Sequence, residues 1–289
     1  MGRRRRAAVA KSTKPVVLVT GCSTGIGREA VGHLAKAGFV VVATARKAAD
    51  IADLTVDGAV ETDVLDVTSA ADRARVVKGL LKRHGRLDAL VNNAGWGAVV
   101  AAEDTTPELM QRMFDTNVFG LHELTRLVLP TMRAQRHGRV VNVSSVSGHI
   151  PVPMMSAYCA TKFALRALTQ AMDIEVRPHG VRAVLVEPGF VKTNFGKRST
   201  SETHGNVKDS AHPEGPYAPQ YARWAARRSG SHGTQPATIA KCIVRACKAR
   251  KPRIHYFAPF HAKVFNLTKR LLPDSVYHAA AGRYFRKKA

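Results

Sequence analysis

Short runs of apolar, mostly β-branched residues recur along the chain, as in Val16-Val17-Leu18-Val19 and Val40-Val41-Val42, and each is followed by a segment of helical length. Continuous apolar runs suit strands buried on both faces, and their alternation with helices suits a parallel sheet covered on both sides. The pattern predicts strands near 16–20, 39–44, 60–64, 88–92, 139–143, 181–186 and 253–257. It predicts helices near 26–37, 47–54, 69–84, 107–134, 157–177 and 236–250. Right-handed crossovers turn such an order into a doubly wound α/β sheet, with a ligand crevice at the carboxyl ends of the strands where their order reverses. Residues 195–235, rich in Ser, Gly, His, Pro and Arg, break the alternation and read as a lid or mobile loop. Helical spacing returns over 261–285, with Val264, Leu267, Thr268 and Leu271 on one face and a break at Pro273.

Composition narrows the class. Of the 289 residues 45% are hydrophobic, enough to bury an ordinary core, which excludes disorder for the bulk of the chain. No apolar stretch reaches the roughly 20 residues of a membrane-spanning helix. Arg3 to Arg6 are followed only by Ala7-Ala8-Val9-Ala10 before Lys11, too short for a secretory signal, so the expected location is the cytoplasm. Cys22, Cys159, Cys242 and Cys247 form no CxxC pair and no zinc-type spacing with His; they read as reduced thiols, and no metal site is expected.

The formal net charge is +24, and most of it sits at the ends. Residues 1–14 hold six basic and no acidic residues, residues 241–289 thirteen basic and one acidic. Such ends suit anionic lipid, nucleic acid or plain solvent. The chain thus divides into a basic disordered tail over 1–14, one large domain over 15–260 and a basic helical extension over 261–289. In the extension and the strand before it, Phe257, Phe260, Phe265, Tyr277, Tyr284 and Phe285 interleave with Lys263, Lys269, Arg270, Arg283 and Arg286. That mixture suits peripheral contact with an anionic membrane; the competing arrangement turns the aromatics inward over a pocket or subunit interface.

Three stations carry chemistry. Thr20-Gly21-Cys22-Ser23-Thr24-Gly25-Ile26-Gly27 lies between the first strand and the first helix, where glycines let the backbone approach a pyrophosphate held by free N–H groups and the helix dipole. Thr44-Ala45-Arg46-Lys47 ends the second strand with cations where an NAD-binding chain carries an acid, which favours the 2′-phosphate of NADP. Asp66, beside Val67, closes the third strand, placed either to take an adenine amino group or to form a turn. Tyr158 and Lys162, four apart at a helix start, share one face, and a nearby cation favours the phenolate. Ser145, just beyond the fifth strand on the same crevice edge, offers a hydroxyl to a substrate oxygen.

Taken with Asn92-Asn93-Ala94-Gly95, Asn117 and Pro188-Gly189-x-Val191-x-Thr193, these motifs resemble the short-chain dehydrogenase/reductase family from about Val16 to Val191. Ala43-Thr44-Ala45-Arg46 and the Tyr158 to Leu165 phrase are similar to its retinol and 17β-hydroxysteroid dehydrogenase group. The resemblance implies a Rossmann fold and an alcohol/carbonyl oxidoreductase preferring NADP(H) over NAD(H), with a lipophilic small molecule as substrate. It implies Tyr158 as acid/base, Ser145 as oxygen anchor, Lys162 as ribose ligand and charge partner of the tyrosine, and Asn117 as holder of a water relay. It further implies that Asn93, Ala94 and Gly95 support the adenine-side ribose and that Val191 and Thr193 meet the carboxamide. A homo-oligomer is the expected assembly, and nucleic acid is not an expected partner. The competing class is a basic membrane- or nucleic-acid-docking protein using a nucleotide-binding domain as redox sensor; a dehydratase or epimerase ranks below both because its glycine spacing differs.

Overall fold

The computed structural model describes residues 13–55, 58–193, 215–228 and 233–286. Seven strands, β1 (Val16–Val19), β2 (Val40–Ala45), β3 (Val60–Val64), β4 (Ala89–Asn92), β5 (Gly138–Val143), β6 (Val181–Pro188) and β7 (His255–Ala258), form one parallel sheet in the order β3-β2-β1-β4-β5-β6-β7. The helices are α1 (Gly25–Lys36), α2 (Ala70–His84), α3 (Pro107–Phe114), α4 (Leu121–Ala134), α5 (Ser156–Val176), α6 (Ala218–Arg228), α7 (Pro236–Lys248), α8 (Phe260–Leu271) and α9 (Asp274–Arg286).

The strands alternate between two cores because successive side chains point to opposite faces. Val17 and Val19 join Val41, Ala43 and Val91 under α1 and α7, while Val16 and Leu18 join Val42, Leu90 and Val140 under α2, α4 and α5. Each such side chain, fully buried, contributes roughly 1.5–3 kcal/mol of transfer free energy. Local signals fix the helix ends. Ser69 accepts from Asp72 N at 3.2 Å to start α2, which stops at Gly85 with φ 65°, and Thr106 caps α3 ahead of Pro107. Behind the sheet, Asp173 of α5 accepts from Arg182 Nε at 2.7 Å and from Ala183 N at 3.0 Å, fastening α5 to β6.

Three expectations need correction. Residues 47–54 form two short 3₁₀ turns, Ala48–Asp50 and Ala52–Leu54, hinged at buried Ile51 with φ −135°, instead of a helix. The helix expected over 107–134 is interrupted by a π-helical turn, Asp115–Gly120, in which Gly120 lies so close to Val67 O that a Cβ would collide. Residues 218–228, expected within a mobile loop, are helical; 194–214 and 229–232 of that loop, and 1–12 of the basic tail, lie outside the described residues. The C-terminal extension breaks at Pro273 as expected, but Val264, Leu267 and Leu271 of α8 face outward, 45%, 55% and 75% exposed.

Candidate active site

The strand order reverses between β1 and β4, and there the first glycine loop meets the loop after β4. Asn93 Nδ2 donates to Thr20 O at 2.9 Å and Gly21 O at 3.1 Å, while Thr20 Oγ1 accepts from Asn93 N at 3.0 Å and Ala94 N at 2.9 Å. Gly21 and Gly25 take φ 72° and 60°, and a Cβ on Gly27 would collide with the Asn93 amide and the Gly21 carbonyl. Half-buried Ile26 packs on the core, fixing the first turn of α1. Thr24 makes no side-chain capping bond and the first turn holds no acidic residue, so the positive end of α1 opens toward Ser23 and the crevice. A Cβ on Gly25 would sit 3.0 Å from Thr193 Cγ2, which puts the segment after β6 on the opposite wall. That segment is anchored by Gly189 N, donating to Ala258 O at 3.0 Å after Pro188, and by the pairing of Val191 with Thr234.

Arg46 and Lys47 are exposed just past β2. Asp66 Oδ1 accepts from Thr68 N at 2.9 Å and Thr68 Oγ1 at 2.7 Å, an Asx-type turn. Buried Val67 follows, and its carbonyl accepts from Arg73 at 2.6 Å. The cradle therefore matches what a dinucleotide needs: close backbone approach at three glycines, an uncapped helix N-terminus and cations at the far end.

The reactive side chains converge at the other end of the crevice. Tyr158 is 8% exposed, and its side chain is hydrogen-bonded to Ser145. Burial holds the phenol well above its ordinary value, and the Ser145 bond only partly offsets that. Lys162 is 5% exposed; its ammonium donates to Val143 O at 3.0 Å and lies 5.6 Å from the Tyr158 ring centroid. Desolvation brings it down to about 8. The ammonium is turned toward the β5 carbonyl, and the Ser145 bond opposes the burial of the phenol. Asn117, fully buried in the π-helical turn, donates to Trp96 O at 2.7 Å and Thr161 Oγ1 at 3.2 Å and accepts from Trp96 N at 3.0 Å. A Cβ on Gly95 would come within 3.1 Å of Asn117 Oδ1 and 3.8 Å of Lys162 Nζ, which brings Gly95, Asn117 and Lys162 together. A neutral phenol beside a hydroxyl donor is the arrangement that donates a proton to an incoming carbonyl oxygen.

Above this pair the surface is apolar. Ala98, Val100, Leu109, Met113, Ala157 and Tyr158 form one cluster with Trp96, and Val99, Ala101 and Met154 form a second with Tyr217, Tyr221, Trp224 and Phe285. Tyr221 Oη accepts from Ala101 N at 3.0 Å and donates to Asp104 Oδ2 at 2.9 Å, tethering α6 to the segment after β4. Sequence reading missed this aromatic roof, although Tyr217, Tyr221 and Trp224 stand at the i, i+4, i+7 spacing of a helix face. It also missed His149, Glu187 and His255, which meet beside the Ser145 turn from positions 38 and 68 residues apart that no local spacing reveals.

Comparison with known proteins agrees with this geometry. The family model for short chain dehydrogenase matches residues 15–204. The 3-ketodihydrosphingosine reductase of Bacteroides thetaiotaomicron is 31% identical over 275 residues, covering 92% of this chain and 96% of that protein. The crystal structure of a short-chain dehydrogenase from Streptomyces avermitilis is similar at a TM-score of 0.77 and 35% identity, covering 93% of this chain and 95% of that one. A metagenomic short-chain oxidoreductase in complex with NADP is similar at a TM-score of 0.66 and 26% identity, covering 84% and 96%.

Proposed function

Since the chain belongs to the short-chain dehydrogenase/reductase family of NAD(P)-dependent oxidoreductases acting on carbonyl and hydroxyl groups, we propose that it uses NADP(H) to interconvert a lipophilic ketone or aldehyde and its alcohol. The observation that carries this reading is the hydrogen-bonded Tyr158–Ser145 pair, with Tyr158 packed in an apolar cluster beside Trp96. A dinucleotide held in this crevice would supply or accept the hydride. In reduction, Ser145 hydrogen-bonds the carbonyl oxygen and Tyr158 gives its phenolic proton to that oxygen. Lys162 presents a cation beneath the ring, and Asn117 ties the Trp96 segment to α5 so that the pocket wall stays in register with Tyr158. Gly21, Ser23, Gly25, Ile26 and Gly27 hold the pyrophosphate end, Asp66 and Val67 line the adenine side, and Asn93, Ala94 and Gly95 support its ribose. Pro188, Gly189, Val191 and Thr193 flank the nicotinamide.

The cofactor preference rests on Arg46 and Lys47, exposed just past β2 with no acidic residue nearer along the chain than Asp50. The name of the Bacteroides relative supports a lipophilic carbonyl substrate. A homo-oligomer is supported by the apolar surface that Phe119, Leu127 and Ile174 leave exposed around α4 and α5. A cytoplasmic enzyme touching an anionic membrane through its C-terminal helices is supported by the outward stripe on α8.

Steady-state oxidation of NADPH and NADH over a panel of steroid, retinoid and long-chain carbonyls tests the reading. Wild type is expected to favour NADPH, and Arg46→Ala to raise the KM for NADPH by about tenfold or more while moving that for NADH little, one charge-assisted bond being worth about 1.5–3 kcal/mol. Equal kcat/KM for the two cofactors would overturn the preference; turnover confined to small polar carbonyls would overturn the substrate class.

A further inference from the structure

Glu187 sits one residue before the end of β6 and is fully buried, an expensive place for a carboxylate. Among the described residues no lysine or arginine pairs with it. Its Oε1 lies 2.5 Å from His149 Nε2 and its Oε2 lies 2.8 Å from His255 Nδ1. The three residues come from different segments: His149 follows the Val146–Gly148 turn that Ser145 caps, Glu187 precedes the Pro188–Gly189 turn, and His255 opens β7. Their ligand atoms all lie within 4.8 Å of one another. The rings are held as well as placed. His255 stacks on Phe257 at 5.8 Å and 13°, His149 meets the same ring at 5.3 Å, and His255 Nε2 faces Gln170 Nε2 at 3.2 Å.

Two imidazole nitrogens and one carboxylate form the donor set that zinc-class cations take, and the 23% exposed side chain of His255 leaves a way in for water as the fourth ligand. No lysine or arginine among the described residues offsets the Glu187 carboxylate, whose charge a divalent ion would neutralise. We propose that His149, Glu187 and His255 bind a divalent transition-metal ion of the zinc class, stapling the Ser145 turn to the Pro188–Gly189 turn. The ion is structural: it touches no reacting atom, and the proposal holds whatever the carbonyl substrate proves to be. Metal–nitrogen and metal–oxygen bonds of about 2.0–2.2 Å separate tetrahedral donors by about 3.3 Å, so from 2.5 Å His149 backs away from the carboxylate by about 0.8 Å and from 2.8 Å His255 by about 0.5 Å. The ring protons that face the carboxylate move to the other ring nitrogens. That of His255 then points at Gln170, whose amide turns to present oxygen, the outer-shell partner a ligating histidine ordinarily has.

The test uses full-length, tag-free protein stripped with a chelator. Zinc titration against a chromogenic competitor, and Co2+ loading read by its visible d–d absorption, are run beside thermal denaturation with and without zinc. Wild type is expected to take one equivalent at micromolar or tighter Kd, to show the absorption of a tetrahedral Co2+ centre, and to melt higher with zinc because ligand binds only the folded state. His255→Gln, which keeps a hydrogen-bond donor for Glu187, and Glu187→Gln are each expected to weaken zinc at least tenfold and to lose the zinc-dependent rise in Tm. His278→Ala, a change at an exposed histidine of α9, should leave both unchanged. Should Glu187→Gln fail to fold, His255→Gln alone decides. Absence of stoichiometric binding by wild type, or zinc affinity unaltered in His255→Gln, would overturn the site and leave a hydrogen-bonded His–Glu–His cluster.

Discussion

Lys162 is a charged side chain with 5% of its surface exposed, and one carbonyl, Val143 O at 3.0 Å, is the hydrogen-bond acceptor of its ammonium. Its value of about 8 lies below the ordinary 10.5, so the folded chain binds fewer protons than the unfolded one between those values and stability rises with pH across that window. The cost of the buried charge is full below pH 8 and gone above about 10.5. Lys162→Met is therefore expected to stabilise the fold at pH 7 by about 1–3 kcal/mol in denaturant unfolding, with the gain fading toward pH 11, while abolishing turnover. A variant less stable than wild type at pH 7 would show that the ammonium is better satisfied than its setting implies. Placing a costly cation under a phenol is a site sacrificing stability for chemistry.

At the scale of elements, α5 carries both Tyr158 and Lys162, and its position relative to β6 depends on Asp173, 1% exposed and bonded to Arg182 and the Ala183 amide. These partners hold its carboxyl below the ordinary value despite burial, so the stabilisation is present at neutral pH and lost as pH falls through and below the carboxylate range. Asp173→Ala, which strands Arg182, is expected to cost about 3–5 kcal/mol in urea unfolding with an unchanged m-value; a loss under about 1 kcal/mol would remove the fastening role. The strands and α1, α2, α5 and α7 were legible because their apolar periods are local properties. The π-helical turn at Asn117 was not, since its cause is the Val67 carbonyl against Gly120 and the Trp96 backbone against Asn117, contacts from outside the segment. Helix α6 was hidden by its surroundings of Gly, Ser and Pro, although its aromatic spacing was there to read.

For the whole molecule, Tyr158, Lys162 and the glycine loop were legible because each motif is short and sits at a predicted strand or helix end. The aromatic roof and the His149–Glu187–His255 cluster exist only once distant segments meet. The proposed membrane contact rests on the +24 charge together with the outward stripe Phe260, Val264, Leu267 and Leu271 at i, i+4, i+7 and i+11. Flotation is expected to recover the protein with anionic but not neutral vesicles, less so as salt is raised, and Leu267→Asp with Leu271→Asp should abolish it; equal recovery with both vesicle types, or none with either, rejects membrane contact. No described helix is long and apolar enough to cross a membrane. In the proposed reaction Tyr158 passes a proton to a substrate oxygen, and a bound dinucleotide would carry the hydride. The most direct measurement is NADPH consumption with a lipophilic ketone by wild type and Tyr158→Phe, paired with NADPH binding by fluorescence. The account predicts a kcat lower by about 10²–10⁴-fold with nearly unchanged NADPH affinity; a variant keeping more than about a tenth of wild-type kcat would contradict it.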